Sequence, residues 1–282
     1  MQCKLFDTLV LPILSYACEV WAVNPSVGEA AEVLHRSFLK HLLGVRVSTT
    51  NEIVLAEFGR FPLQIHFWQQ ILRFHHRVVA LDNSRLVKLA MVDGCALGAD
   101  QSVTAATNKG WQLCVGSFLE RHSQQLFHSF DVMSVVEREK HWFAFKYLHG
   151  DNHSSLLLYR TLQPEYQYAP YLSQVKCFPN RRLLSRFRTG CHGLRVDTGR
   201  WEDNVHLDRN DRLCRVCGSL QQVEDEHHFL FDCPMYGSIR ASHASLFQRA
   251  CTVPAFLANC EPNACGGLIR SCFSVRSNIL TQ

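Results

Sequence analysis

The chain has 282 residues, 47% of them hydrophobic, enough to bury one large core or two modest ones. Its 29 Lys and Arg against 25 Asp and Glu leave a formal charge of only +4, so any nucleic-acid partner has to be argued from local clusters rather than from the average. Thirteen cysteines, an odd number scattered from Cys3 to Cys272, lack the dense spacing of a small secreted disulfide scaffold and point to a reducing, intracellular compartment, nuclear or cytoplasmic.

The first apolar stretch, "LFDTLVLPILSYACEVW", holds eleven uncharged residues between Asp7 and Glu19, far short of the ~20 that a membrane-spanning helix needs. It reads as a buried helix with a kink at Pro12, and no membrane role is expected. In "PSVGEAAEVLHRSFLKHLLGV", Ser26 and Glu29 have capping-box spacing and Gly44 follows the last apolar residue. The helix between them carries Leu34, Phe38 and Leu42 on one stripe, widened by Leu39 and Leu43, with His35, Arg36 and Lys40 outside it. A second helix opens at Pro62 and ends near Asp82, with Leu63, Phe67, Ile71, Phe74, Val78 and Leu81 on one face. Ile65, Trp68, Leu72 and Val79 make it apolar over much of its circumference, so other helices should surround it.

Residues 85 to 170 keep a helical texture with few alternating patterns, and "LQPEYQYAPYLSQ" reads as a loop. The balance then changes. Between Lys176 and Arg215 ten basic residues face five acidic ones, a larger excess than that of the whole chain. Within this segment "NRRLLSRFRTG" reads as a short helix capped by Asn180 and stopped by Gly190, with Leu183, Leu184 and Phe187 inward and the arginines outward.

The densest chemistry lies in "CRVCGSLQQVEDEHHFLFDCP". Zinc prefers four nitrogen or sulfur donors at tetrahedral corners, and a Cys-x2-Cys turn delivers two thiolates from one tight loop. Cys214 and Cys217 supply that turn, and His228 with Cys233 completes a set of four. His227 competes with His228 for the third position; alternation that packs Phe229 and Phe231 on one side favours His228. Four protein donors leave no position for an activated water, so the ion would be structural. A hydrolytic zinc is the alternative, with Glu226 as its general base. Cys251, Cys260, Cys265 and Cys272 lack a Cys-x2-Cys turn and read as thiols packed in helices or exposed in a tail.

Three stretches, "LFDTLVLPILSYACEVW", "LHRSFLKHLLGVRVSTTNEIVLAEFGRFPL" and "RFRTGCHGLRVDTGRW…CRVCGSLQQVEDEHHFLFDCPMYGSIR", resemble the C-terminal part of non-LTR (LINE-type) retrotransposon reverse transcriptases. The resemblance implies a mainly α fold: a thumb-like helical region at 1–90, a helical connector at 91–175, a basic helix with a zinc-binding module at 176–240, and a C-terminal tail at 241–282. It implies that the polymerase fingers and palm precede Met1. Such polymerases hold two metal ions with an Asp-Asp pair, and none occurs in these 282 residues, so no catalytic activity is expected. It further implies that RNA or DNA is gripped, with Arg181, Arg182, Arg186 and Arg188 as the residues for phosphate contact. The competing expectation is a protein-interaction module that exposes the apolar faces of helices 4–21 and 62–81.

Overall fold

The computed structural model describes residues 2–99, 110–124, 130–149, 159–202, 204–248 and 250–281. The fold is mainly α, as expected. In chain order the principal elements are α1 (Pro25–Leu43), α2 (Asn51–Glu57), α3 (Leu63–Val79), α4 (Leu86–Ala99), α5 (Trp111–Arg121), α6 (Val132–His149), α7 (Phe178–Arg188), the hairpin strands β1 (Trp201–Glu202) and β2 (Val205–His206), α8 (Val253–Asn259) and α9 (Pro262–Leu280). Among the described residues no helix is long and apolar enough to cross a membrane. The chain divides into two compact units, one of Met1–His35 with Phe61–Tyr147 and the other of Arg36–Arg60 with Leu148–Gln282.

The first unit is organised around α3. Leu63, Phe67, Ile71 and Val78 are buried on the expected face, and Ile65, Trp68 and Leu72 are buried as well, so this helix is enclosed as its composition requires. Trp68 stacks on Phe118 of α5 with ring centroids 3.9 Å apart. Each fully buried aliphatic side chain there contributes about 1.5–3 kcal/mol. Pro62 offers no side-chain cap to the helix it precedes. The buried Glu32 carboxylate of α1 supplies one instead, accepting the Leu63 N–H at 2.6 Å, where the positive end of the helix dipole favours an anion.

Three expectations for the N-terminal region are corrected. The segment from Gln2 to Trp21 is neither continuous nor buried: a π-helical turn at Phe6–Val10 and short helices at Leu11–Leu14 and Cys18–Trp21 divide it. Pro12 has no N–H to donate, and the Leu11 N–H reaches back to the Phe6 carbonyl, which widens the turn. Phe6 and Cys18 are buried, whereas Leu5, Leu9, Ile13, Tyr16 and Val20 are exposed. On α1, His35, Leu39 and Leu43 form the buried row and Leu34 faces solvent. The stripe is rotated because the His35 ring packs on Phe6, 5.3 Å between centroids, beside Glu32. The cap is also different: Asn24, not Ser26, accepts the Ser26 N–H through its side chain at 3.2 Å.

In the second unit α7 starts at Phe178, so Asn180 lies inside the helix rather than at its cap. Gly190 ends it with φ of +67°, a conformation glycine adopts without strain. Residues 241–282, expected as a tail, contain α8 and α9. Thr252 caps α8 by accepting the Ala255 N–H, and Glu261 caps α9 by accepting the N–H groups of Asn263 and Ala264. Cys265, Leu268, Ile269 and Cys272 form the buried face of α9, which packs on α7. Gly266 permits that approach, since a Cβ there would stand 3.0 Å from the Asn180 carbonyl oxygen.

Inside this unit Arg188 donates from Nε to Glu57 Oε1 at 3.0 Å and from Nη2 to Gln163 Oε1 at 3.3 Å, with its guanidinium 4.9 Å from the Tyr171 ring centre. Both members of the ion pair are buried. Glu57→Ala strands the guanidinium without a counter-charge and should lower stability by about 3–5 kcal/mol in urea unfolding; a loss under 1 kcal/mol would contradict this arrangement.

Candidate metal centre

The segment from Arg212 to Glu224 doubles back as a short hairpin. Leu213 bridges Val223, the Cys214 N–H donates to Gln222 O at 2.8 Å, and the Glu224 N–H donates to Arg212 O at 2.9 Å. At its tip Cys214 and Cys217 flank the turn, and Gly218 continues it with φ of +66°. The second pair of donors comes from a π-helical turn at His228–Asp232. Asp225 Oδ1 accepts the His228 N–H at 2.9 Å at its start, and the Cys233 N–H closes onto His228 O at 2.8 Å. The wide turn brings residues five apart onto one side.

The donor atoms of Cys214, Cys217, His228 and Cys233 all lie within 4.8 Å of one another, a grouping that could hold a metal ion. His228 Nε2 is 3.4 Å from Cys217 Sγ. Bond lengths of ~2.3 Å to sulfur and ~2.05 Å to nitrogen give tetrahedron edges of about 3.6–3.8 Å, so modest closure brings the set to coordination distance. Three sulfurs and one imidazole are borderline-soft donors, which suits zinc. The Cys233 thiol, the His228 ring and the N–H groups of Cys217 and Val216 stabilise Cys214 as a thiolate against the effect of burial and draw its pKa well below the usual thiol range. Hydrogen bonding to that thiolate, with burial, pushes the Cys233 thiol up.

His227 turns away. Its Nδ1 sits 3.0 Å from Asp232 Oδ2 and the side chain is half exposed. Glu226 is engaged elsewhere: it lies 2.9 Å from His192 Nε2, and although burial opposes its charge, that bond and the His192 charge hold its pKa below the usual value. Phe229 and Phe231 do not share one side as expected. Phe229 packs among Phe187, Tyr236 and Phe273, whereas Phe231 meets Phe247 and Phe256.

Glu224 is a structural residue that the sequence concealed in an acidic run. Its buried carboxylate receives two hydrogen bonds from the Arg276 guanidinium, at 2.7 and 3.0 Å, and one from the Arg195 N–H at 3.0 Å. It therefore ties the hairpin that carries Cys214 and Cys217 to α9 and to the segment after α7. Nothing in local spacing relates Glu224 to Arg276, fifty-two positions away.

Of the four arginines proposed for phosphates, α7 turns Arg188 into the core, where Glu57 neutralises it. Arg182 and Arg186 donate through Nε to Gly44 O at 3.3 and 2.6 Å, completing the C-terminal end of α1. Burial, with Arg182 alongside, lowers the Arg186 pKa. Arg181 donates to Val175 O at 3.2 Å and lies over the Phe178 ring. The thiols of Cys265 and Cys272 are free and buried in α9, and Cys251 is free and exposed.

No protein-family model matches the chain, and no solved structure matches it. A stretch of 52 residues, 18% of the chain, is 33% identical to an uncharacterized transposon-derived protein of Caenorhabditis elegans. Part of the chain is thus similar to a transposon-derived sequence. The match spans about a fifth of that relative, 19% of its length.

His228→Ala should abolish metal retention measured by elemental analysis of the purified chain, and His227→Ala should retain the parental content. Acidification should release the ion, because its ligands bind only as thiolate and neutral imidazole. Equal loss in both histidine variants would contradict the assignment of His228.

Proposed function

We propose that this chain is a zinc-stabilised, non-catalytic segment of a non-LTR retroelement reverse transcriptase that grips RNA or DNA. The observation that carries this reading is the convergence of Cys214, Cys217, His228 and Cys233 from two turns onto one point. Three further features support it: the partial similarity to a transposon-derived protein, the basic excess of residues 176–215, and a sequence without the Asp-Asp pair that polymerisation requires. Four protein donors fill a tetrahedral ion, which leaves zinc a structural role and no hydrolytic one. Structural zinc contributes about 10–16 kcal/mol in small finger modules at neutral pH, enough to decide whether the hairpin and the π-helical turn hold together.

One observation favours a protein-interaction role in addition. Leu5, Leu9, Ile13, Tyr16 and Val20 are all exposed on the N-terminal segment, and apolar surface of this kind, where it is contiguous, attracts partners. The face of α3, the other surface expected to do this, is covered.

A mobility-shift titration of the metal-loaded chain with RNA and DNA across a salt series separates the two roles. On the nucleic-acid reading, binding is measurable at low salt and the logarithm of affinity falls linearly with the logarithm of salt, by about 0.7 per phosphate contact on a single strand. Absence of binding at low salt, or binding indifferent to salt, favours the protein-interaction role instead.

A further inference from the structure

A cavity of about 690 Å³ lies within the second unit. Arg200, Arg209, Arg212 and His206 line it. Its carboxylates, Asp197, Asp225 and Glu226, already have partners: Asp197 is 3.0 Å from Arg46, Asp225 accepts the His228 N–H, and Glu226 meets His192. The arginines are less fully matched. Arg212 is buried, yet its guanidinium donates only to the carbonyls of Val196 and Leu207, and no carboxylate among the described residues neutralises it. Arg200 is exposed and also lacks a carboxylate partner among the described residues. Arg209 is 60% exposed and touches Asp225 with one nitrogen at 3.4 Å, so most of its donors face outward.

An aromatic face borders this cationic space. The hairpin register sets Trp201 opposite His206, and the two rings meet edge to face with centroids 5.1 Å apart. His206 lines the cavity, and Trp201, the ring it meets, remains 66% exposed. Guanidinium groups recognise phosphate oxygens through forked donors, and an open indole face stacks an unpaired base whatever its identity. A base inside a duplex has no free face to offer.

We infer that the cavity and Trp201 form a binding site for single-stranded nucleic acid, with a phosphate at Arg200, Arg209 and Arg212 and an unpaired base on Trp201. This rests on the nucleic-acid reading above and moves the principal contacts from α7 to the hairpin side.

The test is fluorescence anisotropy of a labelled single strand of about 16 nucleotides, the upper site size of single-strand grooves, with the full metal-loaded chain. Trp201→Ala should weaken binding by at least about 5-fold, the lower bound for losing one stacked base. The double variant Arg200→Gln/Arg209→Gln should reduce the logarithmic salt slope by about 1.4, at about 0.7 per lost contact. A duplex of the same sequence should compete poorly, and Arg181→Gln on α7 should behave like the parent. Metal content and far-UV circular dichroism verify that each variant is folded. Parental binding that survives both the Trp201 and the double arginine changes overturns this site while leaving the broader reading intact, and a duplex that competes as well as the single strand overturns its preference. No binding by the parent at low salt overturns both.

Discussion

Three thiol sulfurs and one imidazole nitrogen within 4.8 Å of each other constrain everything built around them. They come from two separate turns, so the hairpin that carries Cys214 and Cys217 has to be held against the π-helical turn that carries His228 and Cys233. Backbone pairing across Leu213 and Val223 stiffens the first, and Asp225 fixes the start of the second through the His228 N–H. Glu224 then anchors both to α9 through Arg276. Its desolvation would be costly alone, but paired donors from one guanidinium and a backbone N–H satisfy the charge. An ion bound here closes a network that the protein has already brought close to the required shape.

The arginines of this unit divide by task. Arg188, Arg195 and Arg276 meet carboxylates of the fold, and Arg182 and Arg186 meet the last carbonyl of a helix end. Basic excess in the sequence therefore overstates how much charge faces outward from α7. What remains for a ligand gathers on the hairpin side, around Arg200 and Arg209, where carboxylates are already engaged. Two stretches equally rich in arginine can differ in this way because the partners of one are supplied by distant segments such as α1 and α2.

The parts of the fold with strong local signals were readable from the residues. α3 declares itself through repeated large apolar side chains, and Cys-x2-Cys with its following glycine declares the turn that presents Cys214 and Cys217, because both patterns are set within a few residues. Local patterns mislead where long-range partners decide. His35 counts as polar in a pattern, yet packs on Phe6, and this rotates the buried face of α1 away from Leu34. α9 was hidden because its periodic face is built from Cys265, Leu268, Ile269 and Cys272, with two cysteines acting as small apolar residues beside a glycine pair of poor helix propensity. The choice between His227 and His228 depended on the π-helical turn, whose extra residue no simple alternation encodes. Arg188 and Glu57, 131 positions apart, could not be paired from spacing at all.

On the proposed reading, this chain's own side chains hold a single zinc ion with no coordination position left for water. X-ray absorption at the zinc edge on the purified protein tests it most directly. The expected result is a four-coordinate shell of three sulfurs at about 2.3 Å and one nitrogen at about 2.0 Å. A shell containing an oxygen donor in place of one of these, or sulfur and nitrogen numbers that differ from three and one, would contradict it.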